Sequence, residues 1–151
     1  MKEKTLLVSA IKEGTVIDHI QAGVALKIIR LLQLDANEAR VTVGLNLKSR
    51  SMGLKDIIKV ENLLLNQLAA SQIAIFAPLA TVNVIANYKV TAKHKVQMPE
   101  EIVAALRCPN LRCISNAGKV ITRFKVEEDY KGAQLRCHFC ERVFSKDEMR
   151  S

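Results

Sequence analysis

The chain has 151 residues, 49% hydrophobic and 25% charged, with 23 Lys and Arg against 15 Asp and Glu and a formal net charge of +8. That balance is ordinary for a folded chain and excludes low-complexity, collagen-like and intrinsically disordered classes. The length admits one medium domain or two small ones.

Residues 5–11 are apolar, Leu-rich and β-branched, which predicts a buried strand. The run is too short for a signal-peptide core and meets Lys12 and Glu13, so no leader is expected. Residues 12–15 turn the chain, and residues 16–20 set Asp18 and His19 among apolar neighbours. Residues 21–34 predict a helix, with Lys27, Arg30 and Gln33 forming a narrow solvent stripe. Residues 35–37 end it. Residues 40–47 alternate, with Val41, Val43, Leu45 and Leu47 on one side, as in a strand with one packed face. Such a strand is a candidate sheet edge for self-association.

Residues 48–53 read as a loop. Residues 55–61 form a second alternating strand, with Ile58 and Val60 facing away from Ile57 and Lys59. A short helix is expected at 63–72, and further strands at 73–76 and 81–93 around Pro78. The uncharged run 62–88 contains Asn62, Asn66, Gln67, Gln72, Asn83 and Asn87 as well as Pro78, poor material for a membrane span. A cytoplasmic chain without a membrane partner is therefore expected. The order β-α-β-β-α-β is that of a ferredoxin-like sandwich, an α+β fold whose helices cover one sheet face and leave the other free to bind.

Residues 98–101 mark a boundary between a first domain, 1–97, and a second, 98–151. Pro99 suits the first position of a brief helix over 102–106. All four cysteines follow, as Cys108-x4-Cys113, 23 residues, then Cys137-x2-Cys140. Each tight pair presents two sulfurs from one turn, and two such turns close a tetrahedron. This is the spacing of a structural zinc site holding one Zn²⁺ per chain. With sulfur at all four corners, no position remains for a catalytic water. Two disulfides or four independent thiols are the competing readings, but nothing in the sequence marks an oxidising compartment. Strands are expected at 119–126 and 135–144, completing a small β-rich, four-cysteine zinc-binding domain. About 50 residues bury too little surface to fold unaided, so the metal is expected to hold the domain together.

The basic surplus lies in the first part: residues 1–95 carry 13 Lys and Arg against 7 Asp and Glu, and residues 96–151 carry 10 against 8. Four thiolates and a divalent ion would bring the second part to formal neutrality. The first domain lacks a Gly-rich phosphate loop, a nucleophile elbow and a paired-histidine motif. Its chemistry-bearing residues are Asp18, His19, Lys59, Lys93 and Lys95. Lys93 and Lys95 share strand parity with Lys89 and Thr91. If these strands are neighbours, the lysines line the open face and suit a polyanion such as a triphosphate, with Asp18 placed to accept from ribose hydroxyls. Composition alone does not separate this from lysines kept for solubility.

Residues 10–20, AIKEGTVIDHI, resemble the opening motif of the aspartate carbamoyltransferase regulatory chain. The likeness continues through VGLNL at 43–47, MGLKDIIKVEN at 52–62 and APLATVNVIANY at 77–88. It extends to CPNLRCIS at 108–115 and CHFCE at 137–141. The resemblance implies a non-catalytic subunit of pyrimidine biosynthesis that binds CTP or UTP as inhibitors and ATP as activator of a separate catalytic chain. It implies that Asp18, His19, Lys59 and Lys93 serve ribose and phosphates. Main-chain groups around Ile11 and Tyr88 would read the base, with Asn83, Ile85 and Val90 completing the pocket. It further implies a regulatory-chain homodimer, and a zinc domain that contacts the catalytic chain. Departures from the family pattern are Ser9 in place of a carboxylate, Lys95 in place of a frequent arginine, and Arg112 in place of a frequent asparagine.

An alternative is a zinc-ribbon nucleic-acid binder. It calls for a basic, aromatic-rich ribbon, whereas the metallated second part is formally neutral and offers only Phe124, Tyr130, Phe139 and Phe144. No nucleic-acid partner is therefore expected.

Overall fold

The computed structural model describes residues 10–36 and 38–150 and arranges them around two antiparallel sheets. The first contains β1 (Gly14–Gln21), β2 (Val41–Ser49), β3 (Gly53–Glu61), β4 (Thr81–Ala86) and β5 (Lys89–Lys95) in the order β2-β3-β1-β4-β5. Helix α1 (Ala25–Leu31) joins β1 to β2, and α2 (Gln67–Phe76) joins β3 to β4. The first four strands reproduce the ferredoxin-like order, and β5 adds a fifth. The expected strand at 5–11 lies mostly outside the described residues, as does Ser9; Ala10 and Ile11 are not in a strand.

Both helices lie on one sheet face. Ile17, Ile58, Val60 and Val82 from the strands pack with Ala25, Ile28 and Ile29 of α1 and Ile73 of α2. Complete burial of such an aliphatic side chain stabilises by about 1.5–3 kcal/mol. Helix α2 starts at Asn66, whose side-chain carbonyl accepts from the Ala69 N–H at 2.8 Å. From there it runs to Phe76, so residues 73–76 are its last turn and not the expected strand. Their unbroken apolar run reflects burial, which suits helix and strand alike. Helix α1 is also shorter than expected, because Gln21 still pairs with Lys55 in β3 and a turn follows.

The strand alternation is interrupted by three bulges. In β1, Asp18 and His19 stand between the pair Ile17 and Ile58 and the pair Ile20 and Asp56. In β2, Leu45 and Asn46 stand between the pair Gly44 and Ile57 and the pair Leu47 and Lys55. His19 and Asn46 both take φ of 57°, the left-handed region typical of an inserted residue. The third bulge, at Thr91, shifts the β4–β5 register so that Lys89 pairs with Ala86 while Lys93 pairs with Asn83. Lys89 therefore does not share the face of Lys93, contrary to simple parity.

The second sheet contains β6 (Glu101–Val103), β7 (Arg123–Asp129), β8 (Gly132–Cys137) and β9 (Val143–Ser145), in that order. The helix expected at 102–106 is replaced by β6, in which Ile102 pairs with Phe124 and Glu101 meets Arg123 at 3.2 Å. The expected strand over 135–144 is two strands, β8 and β9, separated by the turn at 137–140. The core of this part reaches into the first: Leu31, Ile75 and Phe76 pack in one cluster with Ile102, Leu106, Phe124, Leu135 and Met149. Among the described residues, no helix is long and apolar enough to cross a membrane.

Candidate functional site

The sheet face away from the helices carries the predicted residues in register. Lys59 pairs with Val16, Val16 with Asn83, and Asn83 with Lys93. Directly opposed residues share a face, so these four form one row across β3, β1, β4 and β5. The adjoining row brings Asp18, Thr81 and Lys95 together. Val90 pairs with Ile85, and Ile85 packs with Ile11 and Val16 in a small apolar cluster with Ile57 beside it. Tyr88, at the β4–β5 turn, donates its N–H to the Lys12 carbonyl at 3.0 Å, tying that turn to the loop that begins β1. All nine predicted residues, from Ile11 to Lys93, thus lie on this face or at its rim.

Gly14 allows the close approach of β1 to β3. Its φ is +141°, and a Cβ there would stand 2.0 Å from the Val60 carbonyl oxygen. Next along β1, Thr15 is fully buried and donates its hydroxyl to the Leu63 carbonyl.

The polar end of the face is tightly held. Asp18 Oδ1 accepts from the His19 N–H at 2.6 Å and meets Lys55 Nζ at 2.9 Å. The first contact satisfies the amide that the bulge removes from the ladder. His19 Nδ1 lies 3.3 Å from Thr81 Oγ1. Sequence reasoning passed over Lys55 and Thr81, although Lys55 has the parity of Ile57 and Lys59, and Thr81 that of Asn83 and Ile85. Lys59 is only 9% exposed, and burial pushes its ammonium below the usual lysine range, partly offset by attraction to Asp18. Lys93 and Lys95 are exposed and enter no ion pair among the described residues. The face therefore combines a desolvated lysine and two solvated ones with an oriented carboxylate and imidazole. That set can hold an anion at one end and hydroxyl groups at the other.

The second candidate site is the cysteine cluster. All four Sγ atoms lie within 4.8 Å of one another. Cys108 and Cys140 approach to 3.7 Å, as do Cys113 and Cys137. Sulfurs at about 2.3 Å from a tetrahedral ion stand about 3.8 Å apart, so the cluster fits a four-thiolate site. The cysteines are free, which removes the disulfide reading. The first pair is shaped by Asn110, whose side chain accepts from the Arg112 N–H, and by Asn116, whose amide donates to the carbonyls of Cys108 and Asn110. The second turn closes with the Glu141 N–H on the Cys137 carbonyl, with Glu141 at φ 63°. Ser115 Oγ lies 3.1 Å from Cys113 Sγ.

Burial pushes the Cys108 and Cys137 thiols up, and their sulfur neighbours add to the effect. At Cys140 burial also opposes ionisation, but hydrogen bonds from the Arg142 backbone, Asn110 and the neighbouring thiols bring it down to about 7. Three of the four sulfurs are buried. Four thiolates this close repel one another, and a divalent cation is the species that relieves the repulsion.

Two family models match the chain: the aspartate carbamoyltransferase regulatory chain allosteric domain over residues 6–97, and the metal binding domain of the same regulatory chain over residues 100–150. Among curated proteins, the aspartate carbamoyltransferase regulatory chain of Chromobacterium violaceum is 50% identical over 143 residues, covering 95% of this chain and 94% of that one. That of Tolumonas auensis is 48% identical over 146 residues, covering 97% and 95%. That of Vibrio parahaemolyticus is 46% identical, with the same coverage.

Proposed function

The chain belongs to the aspartate carbamoyltransferase regulatory-chain family as a non-catalytic regulatory subunit with an allosteric and a metal-binding domain, and from that premise we propose that its open sheet face binds nucleotide effectors. The observation that carries this reading is the single row Lys59, Val16, Asn83 and Lys93, flanked by Asp18 and His19. Lys59 and Lys93 take the phosphates of CTP, UTP or ATP. Asp18 and His19 take the ribose. Main-chain groups near Ile11 and Tyr88 read the base; the Tyr88 N–H is committed to Lys12, so other groups of the two loops do this work. Asn83, Ile85 and Val90 complete the pocket.

Residues 1–97 form the effector unit and a regulatory homodimer. Its edge strand β2 offers Leu45, and neighbouring β3 offers Leu54, both nearly half exposed. Residues 98–151 form the unit that contacts the catalytic chain. Cys108, Cys113, Cys137 and Cys140 hold one Zn²⁺, which when bound supplies folding free energy and leaves no position for a reacting water. The assembly is cytoplasmic, and neither nucleic acid nor membrane is a partner.

Calorimetric titration of CTP into the metal-loaded chain tests the effector reading. A charge-assisted hydrogen bond contributes about 1.5–3 kcal/mol, so Lys93→Ala should weaken binding roughly ten- to a hundredfold. Zinc content should be unchanged. Equal affinity in variant and wild type would contradict the assignment.

A further inference from the structure

Lys55 and Asp56 are adjacent on β3 and project to opposite faces of the sheet. They sit where two bulges meet across β3, that of β1 at Asp18 and His19 and that of β2 at Leu45 and Asn46. On the open face, Lys55 grips Asp18 at 2.9 Å. On the helix face, Asp56 is fully buried, and its carboxylate takes three backbone amides. Oδ1 accepts from Asn46 N–H at 3.0 Å; Oδ2 accepts from Gly23 N–H at 3.0 Å and Ala25 N–H at 3.2 Å. Helix α1 has no side-chain cap of its own, so Asp56 supplies the cap from a neighbouring strand.

Lys27, the third residue of α1, reaches the second domain. Its Nζ donates to the Lys146 carbonyl at 2.9 Å and stands 4.7 Å over the Phe76 ring. Burial pushes this ammonium below the usual lysine range, partly offset by attraction to Asp147 and reinforced by Lys146. Phe76 itself belongs to the apolar seam between the two parts. That seam is held by non-directional apolar burial, whereas the Lys27 hydrogen bond is directional.

We infer that Asp56 and Lys27 are coupling residues, which link the ion pair of Asp18 and Lys55 on the effector face to the Lys146–Glu148 turn of the metal-binding domain through α1. The inference rests on the effector reading. A ribose hydroxyl that engages Asp18 loosens its hold on Lys55. Asp56, the next residue, moves with the same backbone and carries the amides of Gly23 and Ala25. The short helix passes the displacement to Lys27. The two-state element is the Lys27 head, seated on the Lys146 carbonyl or released.

Hydrogen exchange on the full, zinc-loaded chain tests the link. In wild type, saturating CTP should change exchange by about threefold or more in both 22–27 and 146–150. In Lys27→Met, which keeps the apolar stem over Phe76, 22–27 should still respond and 146–150 should not. A merely structural Lys27 would shift the basal exchange of 146–150 but leave its response to CTP intact, and that result would overturn the inference. CTP that binds without altering 22–27 would overturn the Asp56 step. If CTP fails to bind, the effector reading falls, and a nucleotide-free arm still judges the link. Lys55→Met should alter both segments relative to wild type, whereas Lys55→Met added to Lys27→Met should alter only 22–27 relative to Lys27→Met alone. An equal effect of Lys55→Met on 146–150 in the wild-type and Lys27→Met backgrounds would overturn the link.

Discussion

The two sheets of this chain are held together by different physics. The first has five strands and two covering helices, and its core is mainly hydrocarbon, from Ile17 and Ile20 to Ile73 and Val82, with Asp56 buried beside it on three backbone amides. The second has four strands, two of them only three residues long, and its core cluster includes three cysteines and borrows Leu31, Ile75 and Phe76 from the first. A sheet whose main core lies on its helix face can give much of the other face to a ligand, with only the small cluster of Ile11, Val16 and Ile85 buried there. A sheet that shares a core with its neighbour's side chains, and that on the proposed reading also needs an ion, has a conditional shape.

The largest effect that would separate the two halves is loss of the ion. Cys137 is 1% exposed and central to the sulfur cluster. A structural zinc contributes on the order of 10 kcal/mol or more. Cys137→Ala should therefore unfold the second sheet and abolish assembly with the catalytic chain while the first sheet stays folded. Hydrogen exchange resolved by segment reads this directly; a variant that keeps protection across residues 123–137 would break the comparison.

The converse substitution is Gly14→Ala. Contact at 2.0 Å with a backbone carbonyl, at a φ of +141°, cannot be relieved by a side-chain shift. It should cost on the order of 4 kcal/mol, concentrated in the first sheet, with zinc content retained. Thermal unfolding followed beside metal release would show it, and equal losses in both halves would mean that they form one cooperative unit.

These contrasts also explain what was legible in the sequence. The cysteine cluster was readable because ligand spacing is local. The face of Lys59 was readable because β3 keeps an unbroken period of two from Asp56 to Val60. The bulges were not, because each is stabilised by a partner that spacing cannot show. Asn46 holds its left-handed conformation with its amide on Asp56, ten residues away, and the Thr91 bulge moves Lys89 off the face that parity assigned to it. The strand β6 was read as a helix because Pro99 and two glutamates resemble a helix start. Pairing of Ile102 with Phe124 decides otherwise, and that is a tertiary contact. Lys55, Asp56 and Gly14 escaped notice as a group, since their importance lies in what they meet across the sheet.

The smallest predicted effect concerns protons. Burial lowers Lys59 in the free chain, so at alkaline pH part of it is neutral. Bound phosphates favour the charged form, so binding should take up protons there and weaken as pH rises through the Lys59 range. Calorimetry at alkaline pH, in two buffers of different ionisation enthalpy, should give uptake in wild type and less in Lys59→Gln. Equal uptake in both would place the proton elsewhere.

The central claim is regulation of one chain by another. An aspartate carbamoyltransferase catalytic chain should be assayed with and without this zinc-loaded chain, over a titration of CTP and of ATP. The account predicts that nucleotide changes the activity of the mixture and leaves the catalytic chain alone unaffected. The same nucleotide dependence in both samples would contradict it.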